Sequence, residues 1–277
     1  MNTYRPSVLQ ELLKSWGVSA KKGMSQNFLI DGNIIRKIVL LAGVVPGDHV
    51  IEIGPGPGAL TEALLENGAQ VTAIEMDKHF STVLERLQTP DHRLNVIQDD
   101  FLKYPLEELF AAHPRTSFKI VANLPYHITT PILTRLLPLH HHVDSLTIMV
   151  QKQFADRMKA SSKTSDFSSF TVFLDFYSDL VKSFDVSPNC FYPRPKVHST
   201  VVHCKLHPPL LEDSVDEFFI MTRTAFHQKR KMLRTSLKEL YPIQAIEHAL
   251  TLLHEPVTAR PEELSTEQWI TLFKSLH

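Results

Sequence analysis

A glycine-rich loop, two acids and an asparagine-proline motif carry the chemistry of this sequence, in that order along the chain. The stretch Glu52-Ile-Gly-Pro-Gly-Pro-Gly-Ala-Leu-Thr61 follows an apolar run and opens a helical pattern. Glycines 54, 56 and 58 let the backbone pass close to a ligand, and the prolines between them stiffen the loop. The spacing is G-x-G-x-G, which differs from the G-x-G-x-x-G of dinucleotide-binding folds. No Gly-Lys-Ser/Thr ending follows, which excludes a P-loop nucleotidase. Glu75 closes the next apolar run, where an acid can accept hydrogen bonds from ribose hydroxyls. Asp100, beside Asp99, closes the third, where an acid can accept from the exocyclic amine of adenine. Together these features predict a pocket for an adenosyl cofactor without a pyrophosphate, namely S-adenosylmethionine.

The fourth run ends in Asn123-Leu-Pro-Tyr126. An adenine amine is a poor nucleophile because its lone pair is delocalised into the ring. The Asn123 side-chain oxygen and a main-chain carbonyl, at Leu124 or Pro125, can both accept from that amine. The nitrogen then turns pyramidal and aims its lone pair at a methyl-sulfonium, and no basic residue is required. Tyr126 supplies a ring on which an extruded base can stack. An Asx turn with a half-buried tyrosine would use the same residues. The position after three cofactor features favours the catalytic reading.

These residues need a frame that holds the ends of successive strands together. The runs His49–Ile53, Gln70–Glu75, Leu94–Gln98, Phe118–Ala122 and Ser145–Val150 are short and nearly continuously apolar, as strands covered on both faces are. Helical patterns alternate with them, which predicts a doubly wound α/β sheet. Phe170–Tyr177 and Val197–Lys205 read as two further strands. Upstream, Val8, Leu9, Leu12, Leu13 and Trp16 share one helical face ended by Gly17, a linker spans Val18–Ser25, and Ile34–Ala42 is a second apolar-faced segment. After Pro208-Pro209 only helical patterns remain. A boundary is therefore expected there, with residues 1–207 as the α/β domain and 208–277 as a small all-α domain.

The 277 residues include 29 Lys+Arg against 30 Asp+Glu, so the charge is nearly balanced overall but not locally. From Phe218 to Lys238 there is no acid, while Arg223, Lys229, Arg230, Lys231, Arg234 and Lys238 supply positive charge. Such a segment suits phosphates. Two cysteines, Cys190 and Cys204, form no disulfide framework, and no apolar run approaches membrane-spanning length. The start lacks the apolar stretch of a secretion signal. A cytoplasmic protein without a membrane anchor is expected. His140-His141-His142 has no acid or cysteine at ligand spacing, and His203 and Cys204 alternate across a strand, so no metal is expected. Asp156 and Arg157 read as a solvated helix face.

At these residues the chain resembles the ribosomal RNA adenine N6,N6-dimethyltransferases, the KsgA family. Ser25-Gln-Asn-Phe-Leu29 is similar to that family's Gly-Gln-Asn/His-Phe-Leu segment. Glu52–Thr61 resembles its glycine motif, and Asn123–Tyr126 its catalytic motif. Phe191-Tyr-Pro-Arg-Pro-Lys-Val-His-Ser199 resembles its late Phe-x-Pro-x-Pro-Lys-Val-x-Ser motif. Ala225–Arg234 is similar to its basic helix, and Arg260-Pro-Glu-Glu-Leu-Ser265 to its closing segment, so the likeness runs from about residue 20 to the end. Ser25 in place of the usual Gly, and His127 where many members have Asn, are departures.

The resemblance implies a Rossmann-like class I S-adenosylmethionine-dependent methyltransferase domain with a helical RNA-binding tail. Asn27, Leu29 and Gly54 would contact the methionine and sulfonium part of the cofactor, Glu75 the ribose and Asp100 the adenine. Asp100 is preferred to Asp99 because Asp-Phe-Leu-Lys fits the family register. Asn123 would bridge cofactor and target amine. Tyr126 would stack on the base, and Phe191 would close its other face. Lys21, Lys22, Arg223, Lys229, Arg230, Lys231 and Arg234 would hold RNA phosphates rather than read bases. The implied substrate is a pair of adjacent adenosines near the 3′ end of small-subunit (16S) ribosomal RNA, within an immature 30S particle, and the protein is expected to act as a monomer. Two alternatives are a large-subunit (23S) adenine methyltransferase of the antibiotic-resistance type and a protein acting chiefly in ribosome assembly.

Overall fold

The computed structural model describes Leu9, Glu11 and residues 27–277. The expectations for the N-terminal helix beyond Leu9, for the linker, and for Lys21, Lys22 and Ser25 lie outside the described residues. In chain order the elements are β1 (Phe28–Leu29), α1 (Gly32–Leu41), β2 (His49–Ile53), α2 (Ala59–Glu66), β3 (Gln70–Glu75), α3 (Lys78–Leu84), β4 (Leu94–Gln98), α4 (Leu106–Ala112) and β5 (Phe118–Asn123). There follow α5 (Thr129–Leu136), β6 (Val143–Gln151), α6 (Lys152–Met158), α7 (Ser169–Tyr177), β7 (Ser178–Val186), β8 (Phe191–Tyr192) and β9 (Ser199–Leu206). The tail carries α8 (Val215–His227), α9 (Leu233–Ser236), α10 (Ile243–Leu252) and α11 (Thr266–Leu276).

The main sheet has the order β4-β3-β2-β5-β6-β9-β7. Strands β4, β3, β2, β5 and β6 pair in parallel, and β9 joins β6 antiparallel. Val50, Ile51, Ala73, Ile120, Val121, Leu146 and Ile148 are fully buried in it, which is why these runs read as continuously apolar. The strand order reverses between β2 and β5. In such sheets ligands bind beyond the carboxyl ends of the strands at that reversal. The glycine loop, Glu75, Asp99-Asp100 and Asn123 all leave the sheet at those ends.

Two expectations change. Phe170–Tyr177 forms a helix within α7. Ser168 caps it, its Oγ accepting from the Thr171 N–H at 3.4 Å while Thr171 Oγ1 accepts from the Ser168 N–H at 3.2 Å. The strand in this region is β7, whose alternating, half-exposed residues carry no continuous apolar signal.

Contacts divide the chain into one unit comprising residues up to Ala155 with Leu180–Leu206, and a second comprising Asp156–Asp179 with His207–His277. The second unit therefore draws in α7 as well as the tail. Aromatic packing explains this. Phe176 stacks on Phe218 with centroids 5.2 Å apart and meets Phe219 edge-on at 5.0 Å, while Phe218 meets Phe273 edge-on at 5.6 Å. Trp269 is completely buried in this unit and its indole N–H donates to the Pro261 carbonyl. Among the described residues no helix is long and apolar enough to cross a membrane, and no three acid, histidine or cysteine side chains gather as metal ligands.

Candidate active site

A cavity of about 210 Å³ opens at the carboxyl ends of β2, β3 and β5. Asn27, Gly54, Glu75, Asp100, Asn123, Leu124, Pro125 and Tyr126 line it together, so segments far apart in sequence converge as the motifs predict. The glycine loop forms one wall. Gly54 and Gly56 have φ of 63° and 55°, which side-chain-bearing residues rarely adopt. A Cβ on Gly56 would sit 3.2 Å from the Phe28 ring, and one on Gly54 would point to within 3.9 Å of Pro125. The loop is thus bare where it faces the asparagine motif.

Glu75 is buried, and each of its oxygens accepts one main-chain N–H: Oε2 from Gly56 at 3.0 Å and Oε1 from Asp77 at 2.8 Å. Burial nevertheless raises its pKa, with the main-chain amides of Asp77, Gly56 and Met76 opposing the rise and the Asp77 charge adding to it. A carboxylate offers about four acceptor positions. The remaining acceptor capacity of Glu75 faces a cavity that it lines, which fits hydroxyl donors such as those of a ribose. Behind it, Glu52 is fully buried and its Oε2 accepts from Thr61 Oγ1 at 2.6 Å. Burial first, and the nearby Glu75 charge second, push Glu52 up to about 8 against the Thr61 hydrogen bond.

Just past the carboxyl end of β4, Asp99 and Asp100 both line the cavity. Asp99 Oδ1 accepts from the Asp100 N–H at 2.7 Å and Asp100 Oδ1 from the Leu102 N–H at 3.0 Å, so each keeps a second oxygen. Asn123 Nδ2 donates to the Asn27 carbonyl at 3.0 Å, which leaves Oδ1 as an acceptor. The Pro125 carbonyl accepts from the Ile128 N–H at 3.2 Å and from Thr129 Oγ1 at 3.4 Å. Of the two carbonyls considered, Leu124 is therefore the one not engaged by this turn. The Tyr126 hydroxyl bonds to Ser199 Oγ at 2.7 Å, which fixes the ring at the cavity wall, and burial raises its pKa.

Other assignments sit elsewhere. Phe191 is 3% exposed and packs in the core rather than lining the cavity, because β8 pairs with β1 and sets Phe191 opposite Leu29. Leu29 is likewise buried and lines only a smaller adjoining recess.

The basic segment is not one helix. α8 ends at His227, and Lys229, Arg230 and Lys231 occupy the turn before α9. Arg223, Arg230, Lys231 and Lys238 are exposed. Lys229 donates to main-chain carbonyls, and Arg234 pairs with Glu247 at 2.7 Å.

Sequence reasoning missed four residues. Phe28 and Phe101 line the cavity from inside motifs already noted, and Met76, 61% exposed, lines it next to Glu75. Arg135 on α5 donates to the carbonyls of Phe101 and Tyr104 and lies 5.5 Å from the Phe101 ring centroid. Nothing in its local sequence marks it. Arg194, Lys196 and His198 are exposed on the loop that leads into Ser199.

A family model described as ribosomal RNA adenine dimethylase matches residues 17–277. The chain is 48% identical to the ribosomal RNA small subunit methyltransferase A of Protochlamydia amoebophila (strain UWE25), across 100% of this chain and 98% of that protein. It is 46% identical to the protein of the same name from Chlamydia muridarum (strain MoPn / Nigg), across 97% and 96%. Among solved structures, the 23S rRNA methyltransferase ErmE superposes with a TM-score of 0.69 at 29% identity, covering 90% of this chain and 99% of that one. A dimethyladenosine transferase from Plasmodium falciparum superposes with a TM-score of 0.73 at 26% identity, covering 88% and 95%. The chain belongs to the ribosomal RNA adenine dimethylase family and is an S-adenosylmethionine-dependent methyltransferase of ribosomal RNA.

Proposed function

We propose that the protein methylates N6 of two adjacent adenosines in the 3′-terminal hairpin loop of 16S ribosomal RNA, giving N6,N6-dimethyladenosines, as a cytoplasmic monomer acting on an immature 30S particle. The observation that carries the chemistry is the orientation of Asn123. Its amide nitrogen is committed to Asn27, so its oxygen is the group available to a target amine. The Leu124 carbonyl supplies a second acceptor from the same turn. Two acceptors on one amine hold its lone pair out of the ring plane, and this positioning supplies most of the catalysis. S-adenosylmethionine, when bound, supplies the electrophilic methyl group. Glu75 would hold its ribose, Asp100 with Asp99 its adenine, and the bare Gly54 its sulfonium end. Tyr126 offers its ring to a base that has left its stack, at a cost of a few kcal/mol that is lower in a loop than in a duplex.

The small-subunit substrate is supported by the full-length relatives named for that subunit. ErmE, named for 23S rRNA, is less similar in sequence, so the large-subunit alternative is not favoured. Neither cysteine is in a disulfide, which suits a reducing compartment. The test is transfer of labelled methyl groups to unmethylated small and large ribosomal subunits, with products mapped by primer extension and sedimentation reporting the mass of the free protein. Label at two adjacent small-subunit adenosines, abolished by Asn123→Ala, is the expected result. Label confined to the large subunit would overturn the substrate. Tight particle binding without transfer would move the protein to an assembly role.

A further inference from the structure

The second unit brings together two acid-free segments that the sequence keeps apart. One is the turn after α8, where Arg230 and Lys231 are exposed. The other is the loop Lys159-Ala-Ser-Ser-Lys-Thr-Ser165, between α6 and α7. Lys229 joins them: its Nζ donates to the Ser165 carbonyl at 2.6 Å and to the Phe167 carbonyl at 2.7 Å. Phe167 is buried, with its ring centroid 6.1 Å from that of Phe226 at the end of α8. The Lys163 N–H donates to the Glu262 carbonyl at 2.6 Å, and Thr164 Oγ1 to the Ser161 carbonyl at 2.6 Å. The loop is therefore held in a defined shape from both sides.

What it presents outward is a phosphate-binding composition. Lys159, Ser161, Lys163, Thr164 and Ser165 are exposed, and the first acid, Asp166, comes only at the loop's end. Lys163, its side chain 67% exposed, has the largely buried Glu255 3.8 Å away, at the outer limit of an ion pair. Lysines and small hydroxyls are the groups that contact nucleic-acid backbones without reading sequence. We infer that residues 159–165 form a second RNA-backbone contact, continuous with Arg230 and Lys231, and that Lys229 is the tie that assembles this surface rather than a phosphate ligand. The inference rests on the reading of an RNA substrate.

The test measures binding of the full-length protein to a hairpin RNA with two adjacent loop adenosines, across a salt series. Lys159→Ala/Lys163→Ala is expected to lower the slope of log affinity against log salt by about 1.5, at roughly 0.7–0.9 per phosphate contact. Binding near 0.1 M salt should weaken roughly 10-fold, with the melting temperature unchanged. Arg230→Ala/Lys231→Ala should behave alike. Lys229→Gln should weaken RNA binding and speed hydrogen exchange at residues 160–167. If Lys229→Gln fails to fold, the double lysine variant still decides, because both of its side chains are exposed. An unchanged slope for Lys159→Ala/Lys163→Ala, alongside a lowered one for Arg230→Ala/Lys231→Ala, overturns the inference and leaves the RNA reading standing. Unchanged slopes for both pairs, with no methylation of the hairpin, would overturn the RNA reading itself.

Discussion

The side-chain amide of Asn123 donates to the main-chain carbonyl of Asn27 at 3.0 Å, across 96 positions of sequence. A residue at the end of β5 is thereby oriented by one just before β1, and the acceptor of Asn123 is set before any substrate arrives. Asn123→Ala removes that acceptor and the hydrogen bond to the Asn27 carbonyl. The loss expected for one preorganised polar group is about 100- to 1000-fold in kcat. KM for S-adenosylmethionine should move far less. Steady-state methylation at saturating RNA checks this, and a kcat within threefold of the parent would remove Asn123 from the mechanism.

Tyr126 separates two roles that its hydroxyl and ring could play. Tyr126→Phe loses only the 2.7 Å bond to Ser199 and keeps a face for stacking. Tyr126→Ala loses the face, which for a base on an aromatic ring is worth about 1–3 kcal/mol. The phenylalanine variant should stay within about tenfold of the parent in kcat/KM for RNA, and the alanine variant should fall clearly below it. Equal losses in the two would assign the function to the hydroxyl instead.

How much of this was legible beforehand depended on whether a residue's fate is decided locally. The parallel strands could be read because the inner ones, β2, β5 and β6, are largely buried and apolar on both faces, and the cavity-lining motifs because they sit where the strands end. Phe170–Tyr177 reads as a strand because a short run of aromatic and apolar residues has no distinguishing period, and the deciding signal is the Ser168–Thr171 cap. The charge of residues 223–238 could be read, but not its division. Which cations reach solvent depends on carbonyls more than sixty positions away for Lys229, and on Glu247 for Arg234. Phe191 faces inward for a similar reason, since its partner strand β1 lies at the other end of the chain. Arg135 left no local trace.

Glu52 ties folding stability to pH. Its carboxyl is raised from 4.5 to about 8 by burial beside Glu75, so the folded state favours the protonated form. A group with a raised pKa contributes stability that is fully present below its unfolded pKa and lost as pH rises through the folded value. The melting temperature should therefore fall between about pH 5 and pH 8. Glu52→Gln keeps an acceptor for Thr61 Oγ1 and cannot ionise, so its melting temperature should fall less over that range. Some slope should persist, because Glu75 is raised in the same direction. Thermal melts at half-unit pH steps test this, and parallel curves for parent and variant would refute it.

Arg135 fixes the loop that follows Asp99 and Asp100. Its guanidinium donates to the carbonyls of Phe101 and Tyr104 and lies against the ring of Phe101, whose own surface lines the cavity. The Asp100 carbonyl also accepts from the Lys103 and Tyr104 N–H groups, so the turn after β4 closes on itself with Arg135 bracing it. α5 begins just past the Asn123–Tyr126 motif, which makes Arg135 a brace between the turn after β4 and the helix that follows that motif. A planar fork can span two carbonyls at once, whereas the ammonium of lysine is a point donor. Arg135→Ala should raise KM for S-adenosylmethionine by about tenfold while leaving kcat at saturating cofactor near the parent, and Arg135→Lys should recover only part of that loss. A merely structural role would lower the melting temperature and the amount of active enzyme without moving KM. Cofactor titrations on the two variants, read beside their melting temperatures, distinguish the cases.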